Sequence, residues 1–417
     1  MEILSIGEKI KRARIYRNMT LKEVCGENIS PSKLCCIENG KMEPDYRTLE
    51  YIAEKLEIDG EYLKKGIRTQ IIDNINMLDC KKDKDYIEKL KYNLMFAEEN
   101  SYYDLCFQIA HKILRYYIKY DNIDNVKLTI PKYYVYLKKD FCEKNFAIYY
   151  MDIGAYMLKN REYLRAFNYY ENALNISKKI KDKQIILNSI YYKSLCLIIM
   201  EDYNKVSTSI HYLLKYIKDQ PDLIKRAGIY FMCSILSIVY KRDDFSKYEK
   251  KVFNLIKEKS KYKFIVIFMY VKIMFDFNMK DKALNYLDRG LEEYSCENYK
   301  EIDFLLLNIL DKLIENNFVN KADKICSDML NRAIECDNVE LMEGLYSCKA
   351  YICEKQNDIE HMEIYMNFSL SFTLRLKDRK KIYKKYIDMG NMYYKLGNTF
   401  EAIKYFNSAM NLKKYDM

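Results

Sequence analysis

Over the first 66 residues the apolar positions fall at helical spacing. Ile6, Ile10, Ala13, Val24, Ile29, Leu34, Ile37, Leu49, Ile52, Ala53 and Leu56 recur as one small core. Polar residues between them punctuate the pattern. Thr20 can accept from the freed N–H groups that open a helix at Leu21. Ser30-Pro31 is an N-cap followed by proline at the first helical position, and Asp45 follows Pro44 in the same capping role. Asn39-Gly40 ends the helix before it, because both residues tolerate the left-handed conformation a helix terminus demands. These signals predict helices near 5–17, 20–26, 30–39, 45–56 and 59–66, a five-helix bundle.

From residue 67 onward the helical pattern continues and begins to repeat. Tyr386, Met389, Gly390, Tyr393, Gly397, Ala402, Phe406 and Ala409 reproduce the tetratricopeptide arrangement of large and small residues. Gly390 and Ala402 let two helices of a hairpin approach, and Tyr393 and Phe406 fill the space beside them. A second copy has Tyr150, Gly154, Ala166, Tyr170 and Ala173. Stepping the register along places weaker copies at Val206, Tyr248, Ala283, Ala322 and Met362, with turns expected at Glu201-Asp202-Tyr203, Arg242-Asp243-Asp244-Phe245 and Asn357-Asp358-Ile359. Residues 67–140 read as further helices, among them Asp85–Glu99 and Ser101–Tyr120. About eight or nine hairpins are expected in all.

Composition supports an all-α reading. Four prolines and eleven glycines are few for 417 residues. The formal net charge is +10, yet residues 1–66 hold as many acids as bases, so the excess lies in the rest and says nothing for nucleic-acid binding by the head. No apolar run approaches a membrane span and the opening residues lack a signal-peptide core, so a cytoplasmic protein with no membrane partner is expected. Thirteen cysteines without a CxxC pair, and three histidines, give neither zinc spacing nor a disulfide framework. No metal or cofactor is expected, and Cys35 is expected to face inward from the Cys35-Cys36 pair. His111, His211 and His361 lie in amphipathic segments with no nucleophile or phosphate loop, so no catalytic residues are assigned and the chain is not expected to be an enzyme.

The string T-L-x-x-V-C, I-S-P-S-x-L-x-x-I-E-N-G-K, P-x-x-x-T-L, I-A-x-x-L in residues 1–66 resembles the Cro/lambda-repressor-like helix-turn-helix family. The resemblance implies that the third helix enters the major groove of a double-stranded DNA operator, with base contacts from Pro31, Ser32, Lys33 and Cys36. Arg14, Arg17, Thr20, Lys22, Lys41 and Arg47 would hold phosphates and set register. Many members carry glutamine where this chain has Leu21, so that grip is expected to be missing.

A helix-turn-helix domain at 1–66 followed by tetratricopeptide-like hairpins over 67–417 resembles the RRNPP family of Gram-positive bacteria. The resemblance implies a right-handed α-solenoid that serves as sensor and dimerisation domain, in a homodimeric, quorum-sensing transcription regulator controlled by a short signalling oligopeptide. Extending the repeat register puts Tyr192, Ser234, Lys272, Asn308, Asp311, Tyr351, Asp388 and Asn391 on the peptide-binding wall. Asparagine can satisfy both N–H and C=O of an extended backbone, and tyrosine offers a flat amphipathic surface. A second expectation of another class is an interaction protein whose repeats sequester or inhibit a response regulator or kinase, with the N-terminal bundle as adaptor.

Overall fold

The computed structural model describes residues 2–80, 85–294 and 300–414, and every regular element among them is a helix. The head contains α1 (Ile6–Tyr16), α2 (Leu21–Cys25), α3 (Pro31–Glu38), α4 (Tyr46–Lys55) and α5 (Gly60–Lys64). Each helix starts at the cap its sequence supplies. Thr20 and Glu23 exchange hydrogen bonds in a capping box, Ser30 accepts from Lys33 N, and Asp45 accepts from Thr48 N. Ser5 with Glu8 forms a second box, and Asp59 caps α5. Such caps contribute about 0.5–2 kcal/mol each. The helices enclose Ile10, Val24, Ile29, Leu34, Ile37, Leu49, Ile52, Ala53 and Leu56, joined by Cys25 and Leu63, with Ile6, Ala13 and Leu21 partly buried at the edge.

Eighteen further helices among the described residues pair into nine hairpins. Four hairpins follow the head. They are α6 (Ile67–Cys80) with α7 (Tyr86–Glu99), α8 (Tyr103–Lys119) with α9 (Ile123–Lys139), α10 (Glu143–Lys159) with α11 (Tyr163–Ile180), and α12 (Lys183–Ile199) with α13 (Tyr203–Lys215). Contacts group these hairpins and the head into one compact unit, Met1–Tyr216. A second unit, Ile217–Met417, opens with a short 3-10 turn. It contains α14 (Leu223–Val239) with α15 (Phe245–Leu255), α16 (Ser260–Asp276) with α17 (Lys280–Glu293), α18 (Lys300–Glu315) with α19 (Val319–Glu335), α20 (Val339–Gln356) with α21 (Ile359–Leu376), and α22 (Arg379–Lys395) with α23 (Thr399–Lys414).

The small-to-large interlock read from the sequence is physical. A Cβ on Gly154 would lie 2.8 Å from the ring of Tyr170, and one on Gly390 2.4 Å from that of Phe406. Within each unit the first helices of neighbouring hairpins also touch, α8 with α10 and α10 with α12, then α14 through α20 in steps of two. Turns recur about every twenty residues through a single left-handed residue, among them Ser101, Arg161, Glu201, Asn317, Asn357 and Gly397. At Glu201 the N–H groups of the turn return to Ile198 O and Asp202 returns to Leu197 O, closing the helix end.

The head is tied to the hairpins at both of its ends. Ahead of α1, Ile3 is buried with Ile71 and Ile75. Its N–H donates to the Tyr92 hydroxyl, and Gln70 brackets Leu4 by accepting from its N–H at 3.2 Å and donating to its carbonyl at 2.8 Å. Lys9, itself buried, donates to the carbonyls of Tyr62 and Lys65 at 2.7 Å each.

Cys35 is a correction. It is exposed, because α3 turns Leu34, Ile37 and Glu38 to the core and the residue after Leu34 lies about 100° round the helix. Among the described cysteines Cys25, Cys106, Cys196, Cys233, Cys326, Cys348 and Cys353 are buried. The side chains of Cys80 and Cys296 lie outside the described set. Among the described residues no helix is long and apolar enough to cross a membrane.

Candidate functional site

At the N-terminus of α3, Pro31 and Ser32 are exposed and Lys33 and Cys36 are partly so, on the side away from Leu34 and Ile37. Lys33 leans toward the start of α4, its Nζ 3.4 Å from Asp45 Oδ2 and 3.3 Å from Thr48 Oγ1. An exposed pair of that length is weak, so the side chain can be redirected at little cost. The hydrogen bond from Thr48 N, then that from its hydroxyl, then Lys33 hold the Asp45 carboxyl below the usual range.

The residues expected at phosphates divide into two groups. Lys22, Lys41 and Arg47 are exposed, and Thr20 is an exposed cap. Arg14 is a correction. Its guanidinium makes a two-point pair with Glu38 at 2.7 and 2.9 Å and donates to Met19 O, with the Glu38 side chain only 5% exposed. That pair locks α1 to α3 and commits three of the five guanidinium N–H donors within the head, so the side chain serves here to join the two helices. Arg17 is also engaged, by the carboxylate and carbonyl of Glu57, but at the surface.

All eight wall residues lie on the first helix of a hairpin. In the second unit, Tyr351, Asp388 and Asn391 come together at a cavity of about 550 Å³ formed by α20, α21 and α22. Met362, Met366 and Met392 supply its apolar floor. Glu354 and Lys395, paired at 2.7 Å, supply a charged rim. Lys385 reaches the same cavity from a buried position, held by the hydroxyls of Ser347 at 2.5 Å and Ser369 at 2.8 Å and by Glu343 at 2.9 Å. Burial pushes the Asp388 carboxyl upward, against the pull of Lys385 and Lys384.

The remaining wall residues are not at this cavity. Ser234 is a correction: it is fully buried, with its hydroxyl 2.6 Å from both Phe231 O and the Tyr270 hydroxyl. Residues 231–238 of α14 are buried all round, so no side of that helix end meets solvent. Lys272 pairs with Asp276 at 3.1 Å, Asn308 donates to its own helix at Phe304 O, and Asp311 lies 3.8 Å from the Cys348 thiol. Tyr192 stands in the first unit, stacked on Tyr170. Lys385 and Ser347 went unnoticed in the sequence. The available signal was a lysine on the apolar stripe between Ile382 and Met389.

The helix-turn-helix domain family matches residues 7–68. No curated protein matches the chain. Among solved structures, Bacillus thuringiensis PlcR in complex with the peptide PapR7 and DNA is similar at 15% identity, covering 63% of this chain and 98% of its own, with a TM-score of 0.35. A Rap protein complexed with competence and sporulation factor is similar at 14% identity, covering 98% of each chain, with a TM-score of 0.42. The apo competence regulator ComR from Streptococcus vestibularis shares 17% identity over 68% of this chain and 97% of its own, with a TM-score of 0.26. Caps, core and family match coincide, and residues 7–68 are a helix-turn-helix domain.

Proposed function

We propose that this chain is a DNA-binding transcription regulator, acting as a homodimer, whose repeats bind a short signalling peptide. The observation that carries the reading is α3 itself. Its first turn stands exposed on a helix-turn-helix domain, while Leu34, Ile37 and Glu38 of the same helix face the core. Pro31, Ser32, Lys33 and Cys36 would read bases, while Lys22, Lys41, Arg47, Thr20 and, after release from Glu57, Arg17 would hold phosphates. The peptide would lie against Tyr351, Asp388 and Asn391, with an apolar side chain seated on the methionines; methionine adapts its shape to such guests.

The test is fluorescence anisotropy of the full chain on duplexes from upstream of its own gene. Specific binding that weakens steeply with salt and is lost in the Lys33→Ala/Lys22→Ala double variant is expected. Sequence-independent binding, or affinity unchanged in that variant, overturns the assignment. Calorimetry with peptides encoded in short neighbouring reading frames tests the sensor half, with a heat signal lost in Asn391→Ala as the expected outcome. The engagement of both Arg14 and Arg17 within the head favours one second reading, in which the bundle is an adaptor and the repeats sequester a response regulator or kinase. Absence of any duplex binding together with capture of such a partner would select it.

A further inference from the structure

A separate polar cluster lies in the first unit and shares no residue with the 550 Å³ cavity. At its centre is Asp152 on α10, with a side chain 1% exposed. Its Oδ2 accepts from the Tyr133 hydroxyl at 2.8 Å and lies 2.6 Å from His111 Nδ1, while Arg115 stands 3.8 Å from Oδ1. An isolated carboxylate there would cost several kcal/mol, and the hydrogen bond from Tyr133 together with His111 and Arg115 offsets that cost.

The partners are unevenly committed. Tyr133 is fully buried, but His111 and Arg115, on α8, keep 36% and 44% of their side chains exposed. Arg115 is too far from Asp152 for a hydrogen bond of ordinary length, and Tyr192 from α12 interacts with it. Beneath Tyr192, with rings stacked at 5.3 Å, lies Tyr170, whose hydroxyl is buried and has no hydrogen-bond partner. Leaving a buried hydroxyl unpaired costs about 1–3 kcal/mol, which a bound polar group would recover.

We infer that His111, Arg115, Tyr170 and Tyr192 form a binding site for a carboxylate. Arg115 offers the planar two-point donor that matches a carboxylate, and the orphan hydroxyl of Tyr170 gains its partner when Tyr192 shifts to admit the ligand. Asp152 sets the charge preference. Its carboxylate offsets the nearby positive charge of Arg115, which suits a singly charged carboxylate and disfavours a dianionic phosphate. The carboxylate can come from a peptide C-terminus or from an acidic side chain, and the site depends on the proposed peptide function only in that choice of ligand.

The chain contains three histidines, so imidazole NMR of the full protein gives three Hε1 signals. His111 reports this cluster. His361, paired with Asp358 at the rim of the 550 Å³ cavity, reports the proposed peptide site, and exposed His211 is the reference. The probes are acetyl-trialanine with a free carboxylate, its amide, and acetyl-Ala-Glu-Ala-amide, each to about 10 mM, enough to detect millimolar binding. A saturable shift of His111 with either carboxylate probe and not with the plain amide is expected, and the active probe identifies the source. Arg115→Gln should weaken that shift about tenfold to a hundredfold. Tyr170→Phe, which removes no charge and leaves the ring stack, should weaken it in a folded protein. Equal response to the amide, no response to any probe, or an unchanged response in both variants overturns the proposal. A silent His361 beside a responsive His111 would show that this cluster binds independently of the 550 Å³ cavity, and the peptides of neighbouring reading frames test the latter separately.

Discussion

The head and the hairpins are both helical, yet they are stabilised differently. In the head, five short helices share one centre, and each begins at a side-chain cap: Ser5, Thr20, Ser30, Asp45 or Asp59. In the hairpins the helices are longer, and several, such as α8, α11, α17 and α19, start with no side-chain cap bond. They rely on contact with their neighbours and on the left-handed turns. Damage to the head should therefore be felt throughout the head, whereas damage to a hairpin should remain near the hairpin.

The largest test of that contrast is Glu38→Ala. It strands the Arg14 guanidinium, and breaking such a pair from one side costs about 3–5 kcal/mol. Hydrogen exchange should show protection lost across α1 to α5 and retained in the second unit; a head that keeps its protection would show that the pair does not hold α1 to α3. Next comes Gly154→Ala, where the added methyl meets the Tyr170 ring and overpacking costs about 1–3 kcal/mol. Exchange should rise in α10 and α11 and leave α1 to α5 untouched, and a uniform rise would argue against local behaviour. On the surface proposed to face DNA, Lys22→Ala with Arg47→Ala should weaken duplex binding about tenfold and lower the salt slope by about two, without moving the melting temperature. Unchanged slopes would remove both residues from the phosphate set.

The smallest expected effect concerns carboxyls. In the head, hydrogen bonds lower Glu23 and Asp45, so their contribution is present above the usual carboxyl range and is lost as pH falls through the lowered value. In the second unit, burial raises Asp388, so its contribution has the opposite sign: it is present in acid and is lost as pH rises through the raised value. Asp388→Asn should therefore stabilise the second unit at pH 7 by a few tenths of a kcal/mol, with the gain disappearing in acid. Thermal melts at the two pH values measure it, and a gain that persists in acid would mean the side chain acts through packing.

What could be read from the sequence follows the same division. Helix limits in the head were legible because Thr20, Ser30, Asp45 and Asn39 act on backbone atoms within a few residues of themselves. Gly154 and Gly390 were legible because their partners sit at fixed steps along the repeat. Arg14 was not, since its partner is 24 residues away and nothing at short range distinguishes a guanidinium bound for Glu38 from one bound for phosphate. Ser234 was misplaced because α14 is apolar on every side over its second half, which leaves the register without a phase. Asp152 belongs with residues from four other helices, and only the folded unit brings them together.

Gln70 and Tyr92 hold the segment ahead of α1, while the chain leaves α5 directly into α6. A body joined to its support by one strand of chain can swivel about that strand; joined at two places, it can only rock about the line between them. Any bending of the first hairpin would then reach α3 as a tilt in a fixed direction, with the two anchor points as its axle.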